Sequence, residues 1–144
     1  MNGREWTTED LAEISKLEQE CFSDPWTQRM LADSYLSDCF FGSLLEEGDS
    51  ITAYGGMHIA GDEAEIELIA VAEMYRRCGR GAKILDDLLE EALRRGVKRV
   101  FLEVRVSNAP AQIMYLKRGF VGVYARSRYY PDGEDAIVMK KELV

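Results

Sequence analysis

The chain has 144 residues, 47% hydrophobic and 31% charged, with a net charge of −8, the profile of one folded domain spanning 1–144 and not of a disordered or fibrous chain. Its acidity disfavours nonspecific nucleic-acid binding, which needs a basic face, and suits a basic partner such as a protein tail or an amine. No stretch nears the ~20 apolar residues of a membrane span, the start lacks a basic-then-apolar leader, and three scattered cysteines with one histidine frame neither disulfides nor zinc, so a metal-free, cytoplasmic monomer that binds neither membrane nor nucleic acid is expected.

Thr7 and Thr8 can cap a first helix running to about Cys21, with Leu11, Ile14 and Leu17 on one face. After the turn Ser23–Trp26, Thr27 can cap a second helix carrying Met30, Leu31 and Tyr35. Three strand-like runs follow: Phe40 to Glu46, Ile51 to Ile59, and Glu63 to Ala72. In the last of these Glu63, Glu65 and Glu67 alternate with Ala64, Ile66 and Leu68, the pattern of a half-buried strand. The turns at Gly48-Asp49-Ser50 and Gly61-Asp62 predict an antiparallel meander. The period then changes. Ile84, Leu85, Leu88, Leu89, Ala92 and Leu93 recur at helical spacing, and Gly96 closes that helix. A strand from Arg99 to Val106 leads to a short helix capped by Asn108, with Pro110 in its first turn and Gly119 at its end. Two final strands, near Phe120 to Arg126 and Asp135 to Glu142, flank the turn Pro131-Asp132-Gly133. This order predicts an α/β or α+β sandwich with a mixed sheet.

Between the acidic strand and the amphipathic helix lies Arg76-Arg77-Cys78-Gly79-Arg80-Gly81-Ala82-Lys83. A helix start presents free N–H groups and the positive end of the helix dipole. Glycine lets the backbone approach an anion, and four basic side chains add to the field, so the loop suits a diphosphate. It is not a Walker A loop, which needs GxxxxGK[ST]. It is not a dinucleotide fingerprint either, because Ile84 stands where the third glycine belongs. ATP and NAD(P) are therefore disfavoured.

Arg76-x-x-Gly79-x-Gly81 fits the R/Q-x-x-G-x-G/A signature of the GCN5-related N-acetyltransferases, which this sequence resembles. The resemblance runs from about Glu18 to Leu143. Pro25-Trp26, Ile69-Ala70-Val71, Leu102-Glu103-Val104-Arg105-x-Ser107-Asn108, Ala111, Tyr115, Gly119-Phe120, Arg128-Tyr129-Tyr130, Asp135-Ala136 and Met139 are similar to the ribosomal-protein alanine N-acetyltransferase subfamily. Two positions depart from the pattern. Glu73 stands where such sequences usually carry proline, and Cys78 occupies a loop position that is often basic or polar. Neither removes a backbone donor.

The resemblance implies a mixed, mostly antiparallel sheet of six to seven strands flanked by about four helices. It also implies acetyl-CoA as co-substrate. The pyrophosphate would rest on the N–H groups of Arg77 to Ala82, namely Arg77, Cys78, Gly79, Arg80, Gly81 and Ala82, with Arg76 opening the motif. The pantetheine arm would pair with Ile69, Ala70 and Val71, the Val71 N–H would face the acetyl carbonyl, and Asn108 would touch the arm or simply cap its helix.

Glu103 is the candidate base. On an alternating strand it shares a face with Phe101 and Arg105, opposite Leu102 and Val104, and a carboxylate beside aromatic surface suits that role. Its plain alternative is a surface glutamate paired with Arg105, and Glu67 is the rival base. Tyr115, two helical turns after Asn108, is the candidate acid for the leaving thiolate, with core packing as its alternative. Tyr129 and Tyr130 either wall the amine side or pack the core, and Trp26 and His58 are expected to be structural. The acceptor implied is the N-terminal amine, of alanine, on a basic ribosomal-protein tail. A small-molecule amine, or acyl-CoA binding without turnover, are the other readings.

Overall fold

In the computed structural model, which describes residues 2–144, seven strands make one sheet in the order β1-β2-β3-β4-β5-β7-β6. The strands are β1 (Arg4–Glu5), β2 (Phe40–Glu47), β3 (Ser50–Ala60), β4 (Glu63–Val71), β5 (Arg99–Arg105), β6 (Val121–Arg126) and β7 (Ala136–Glu142). The helices are α1 (Leu11–Cys21), α2 (Gln28–Tyr35), α3 (Arg80–Arg94) and α4 (Ala109–Lys117). All strand pairs are antiparallel except β4 with β5. The expected mixed sheet, its meander and its four helices are therefore present. A short first strand, the two-residue β1, precedes the helices and extends the sheet beside β2.

Two cores lie on the two faces. Under α3 and α4, Ile84, Leu85, Leu88 and Ala92 pack with Ala53, Met57, Val100, Leu102, Tyr115 and Phe120. Under α1 and α2, Ile14, Leu17 and Leu31 pack with Trp6, Phe40, Leu44 and Tyr54. The amphipathic period of α3 is why it lies flat on the sheet. Gly55 lets it come close, since a Cβ there would lie 2.5 Å from Ile84 Cγ2 and 2.9 Å from the Leu68 carbonyl oxygen.

Two irregularities in β4 position the site. Met57 faces Ile66 while Gly56 faces Leu68, so Glu67 is the extra residue of a β-bulge. The bulge exchanges the faces. Ala64 and Ile66 belong to the core under α3, whereas Leu68 and Ala70 belong to the core under α1 and α2. The parallel ladder between β4 and β5 also stops at Ile66 opposite Leu102, although both strands run on. The sheet is therefore split along a seam between Glu67–Val71 and Glu103–Arg105.

Candidate active site

One wall of the seam is the free edge of β4. The Ala72 N–H donates to the Thr52 carbonyl at 2.8 Å, so Ala72 faces β3. Polar groups alternate along a strand, so the N–H groups of Val71 and Ile69 face away from β3, into the seam. Ala70 turns its own polar groups to β3 and its side chain into the α1/α2 core, so it offers the seam nothing. The Val71 carbonyl is held by the Arg76 Nε at 3.0 Å, with the Cys21 thiol at 3.8 Å.

At the open end of that edge the chain turns into α3. Arg77 and Gly79 both take left-handed backbone, with φ of 66° and 80°. These reversals aim successive N–H groups outward. Lys83 makes the first helical bond, to the Gly79 carbonyl at 3.0 Å, and the N–H groups of Arg77 to Ala82 find no acceptor among the described residues. Six donors thus converge at the positive end of a 15-residue helix. Gly81 sits under this array, where a Cβ would meet Val71 and Met114 at 3.5 and 3.6 Å.

The expected field of four basic side chains is smaller than the sequence suggests. Arg80 folds back, donating to Thr52 Oγ1 at 3.0 Å and Glu47 at 2.7 Å, while Lys83 pairs with Asp87 at 2.8 Å. Both are neutralised internally. What Arg80 presents at the helix start is its backbone N–H.

The other wall carries the candidate base. Phe101, Glu103 and Arg105 share one face of β5, and Val100, Leu102 and Val104 are buried on the other. Glu103 opens onto a groove of about 300 Å³ lined by His58, Glu65, Phe101, Tyr124 and Arg126 among others. Its Oε2 is buried and accepts no hydrogen bond, and Arg126 Nε stands 3.6 Å away. The alternative pairing with Arg105 does not occur, because Arg105 is taken by Asp24, Asp132 and Glu134.

Tyr115 is buried in the α3/α4 core, across the sheet from Glu103, with its ring 5.8 Å from that of Phe120. Burial, and then the neighbouring Tyr130 phenol, push it up to about 12. Tyr130 is pushed up to about 12 as well, by burial and then by the Glu103 carboxylate, with Arg105 acting the other way. Burial and then Glu103 raise Tyr129 too. Both tyrosines come from the β6–β7 loop, and their rings meet at 5.1 Å. Asn108 Oδ1 accepts the Ala111 N–H at 3.2 Å, so its capping role is realised.

Sequence reasoning missed three features. His58 lines the groove and contacts the carboxylate of the bulge residue Glu67. Glu18 is 1% exposed, and it accepts from the Tyr54 hydroxyl at 2.6 Å and the Trp26 N–H at 3.0 Å. It thereby ties α1 to the loop before α2. The third is the Arg105 cluster. Only Glu18 left a local trace, as a carboxylate one turn after Ile14 on the apolar face of its helix.

Residues 11–120 match the acetyltransferase (GNAT) family. The chain is 36% identical over 135 residues to the [ribosomal protein bS18]-alanine N-acetyltransferase of Escherichia coli K12, covering 92% of this chain and 90% of that one. It is 33% identical over 136 residues to the enzyme of the same name from Salmonella typhimurium, covering 92% and 91%. The crystal structure of the ribosomal-protein-S18-alanine N-acetyltransferase from Escherichia coli superposes with a TM-score of 0.92 at 33% identity, covering 99% of this chain and 93% of that one.

Proposed function

The chain belongs to the acetyltransferase (GNAT) family and is an N-acetyltransferase, and we propose that it transfers acetyl from acetyl-CoA to the N-terminal amine, of alanine, on the basic tail of a ribosomal protein. The observation that carries this reading is the split sheet. Its seam has outward-facing N–H groups on one wall, a row of donors at the α3 start at one end, and on the other wall a carboxylate whose buried Oε2 accepts no hydrogen bond.

Six N–H groups, from Arg77 to Ala82, would hold the pyrophosphate of acetyl-CoA. Ile69 and Val71 would offer the edge along which its arm lies. The Val71 N–H then meets the oxygen that gains charge when the amine adds to the thioester carbonyl. Glu103 takes the proton from the attacking amine as the C–N bond forms. Tyr115 gives a proton to sulfur as the C–S bond breaks, and being un-ionised at neutral pH it is always loaded for that step. Glu67, paired with His58, is less free to act as the base.

The acceptor assignment is supported by the two relatives named for alanine of bS18 and by the carboxylates Glu63, Glu65 and Glu103 around the groove. The test is thiol release from acetyl-CoA with N-terminal peptides of ribosomal proteins set against polyamines, amino acids and aminoglycosides. The reading requires the alanine-first basic peptide to have the highest kcat/KM. A small amine winning overturns the acceptor. Acetyl-CoA binding without thiol release for any acceptor would leave only a binding module.

A further inference from the structure

Arg105 ends β5 two residues after Glu103, and its side chain is about three-quarters buried. Its Nη2 donates to Asp24 at 3.1 Å, and Asp24 lies in the loop between α1 and α2. Its Nη1 donates to Asp132 at 2.9 Å and to Glu134 at 3.0 Å, both in the loop between β6 and β7. The guanidinium carbon also lies over the Tyr130 ring, 4.0 Å from its centroid. Glu134 passes the connection on by accepting the Ser107 N–H at 2.8 Å. Among the described residues no hydrogen bond or ion pair joins the two loops directly, so Arg105 is their shared polar partner.

This position matters because of what the loops carry. Tyr129 and Tyr130 belong to the β6–β7 loop, Arg105 lies over the Tyr130 ring, and burial and then the Glu103 carboxylate raise both phenols. The α1–α2 loop is fixed at its other end by Glu18 through the Trp26 N–H. We propose that Arg105 is a positioning residue that latches the α1–α2 and β6–β7 loops together beside Glu103, holding Tyr130 against its guanidinium. The proposal rests on the reading of the Glu103 side as the place where the amine enters.

The latch predicts an asymmetric defect. The pyrophosphate array at Arg77 to Ala82 draws nothing from Arg105, so donor binding is independent of it. In Arg105→Gln the acceptor KM rises about tenfold while the acetyl-CoA KM stays within about twofold. Arg105→Lys does not restore it, because a single ammonium cannot span three carboxylates and stack on a ring. Asp24→Asn raises the acceptor KM less, and it has no further effect in an Arg105→Gln background. Hydrogen exchange gives a second readout that needs no turnover: amides in 22–27 and in 127–135 lose protection together, while those in 77–94 do not.

Donor and acceptor KM rising in parallel would overturn the latch. So would exchange increasing in only one loop, or Asp24→Asn adding fully to Arg105→Gln. If Arg105→Gln does not fold, Asp24→Asn combined with Asp132→Asn breaks the same bridge from the other side and takes the same readouts. Absence of acetyl transfer by the wild-type chain to every peptide would count against the acceptor reading alone, because the exchange data still decide the latch.

Discussion

Glu103 and Tyr115 lie on opposite faces of the sheet, so each can be removed with little effect on the other's packing. Glu103→Gln keeps the shape of the side chain and deletes the proton acceptor. It is expected to lower kcat about 100-fold, most at low pH where free amine is scarce, with acetyl-CoA affinity unchanged by calorimetry. A wild-type rate would move the base elsewhere, with Glu67 next in line. Tyr115→Phe is expected to slow transfer by a similar factor and also leaves a stability signature. The folded phenol titrates at about 12 against 10.0 for the free side chain. Below pH 10 its contribution to stability is complete. Between those two values the unfolded chain has lost the proton and the folded one has not, so stability declines as pH rises. Denaturant midpoints in Tyr115→Phe should lose part of that alkaline decline. An unchanged slope would mean that the phenol is not buried as described. The strand and helix that carry these two residues were legible because each lies beside a local motif. The role of Arg105 was not, because its partners are 81, 27 and 29 residues away and no local pattern foretells them.

The loop entering α3 illustrates what local sequence can and cannot specify about an element. The apolar period of α3 begins at Ile84, but the helix begins at Arg80, because Arg80 to Lys83 form a first turn that carries no apolar signal. Likewise the alternation along β4 is plain up to Leu68, whereas the bulge at Glu67 is set by pairing with β3 and cannot be read from β4 itself. Gly79 and Gly81 both belong to the motif, yet their physical demands differ. Gly79 needs its positive φ, so Gly79→Ala is expected to cost about 1 kcal/mol of stability as well as weakening acetyl-CoA binding. Gly81 has ordinary helical backbone and room for a methyl against Val71 and Met114. Gly81→Ala should therefore leave stability level or raise it by up to about 1 kcal/mol, while acetyl-CoA affinity falls because the methyl crowds the donor array. Melting curves and calorimetry on the two variants separate backbone strain from ligand crowding. Loss of stability in Gly81→Ala with affinity intact would remove this glycine from the cofactor site.

At the scale of the whole molecule, the two ends of the seam differ in sign. The net charge is −8, and the groove beside Glu103 carries Glu65 and Glu63, with Arg99 paired to Glu63 at 3.2 Å and Arg126 3.6 Å from Glu103. The opposite end is the helix start, with Arg76 and Arg77 beside its N–H array. On the proposed reading, an anionic donor and a cationic acceptor would be drawn to different ends of one cleft. Overall charge was readable from composition, but its separation along the seam depends on β4 and β5 parting after Ile66 and Leu102, which no local pattern announces. The separation predicts how salt acts. Raising ionic strength from about 0.05 M to 0.3 M shortens the screening length to less than half. It should reduce kcat/KM for a basic acceptor peptide several-fold, chiefly through KM. A peptide with the same alanine end and a neutral tail should change little. Replacing Glu65, which is exposed on the groove face and makes no ion pair, by Gln should remove part of the salt dependence without touching kcat. Equal salt dependence for both peptides would mean that the acidic groove does not select the acceptor, and that the basic tail of any natural substrate is recognised elsewhere or not at all.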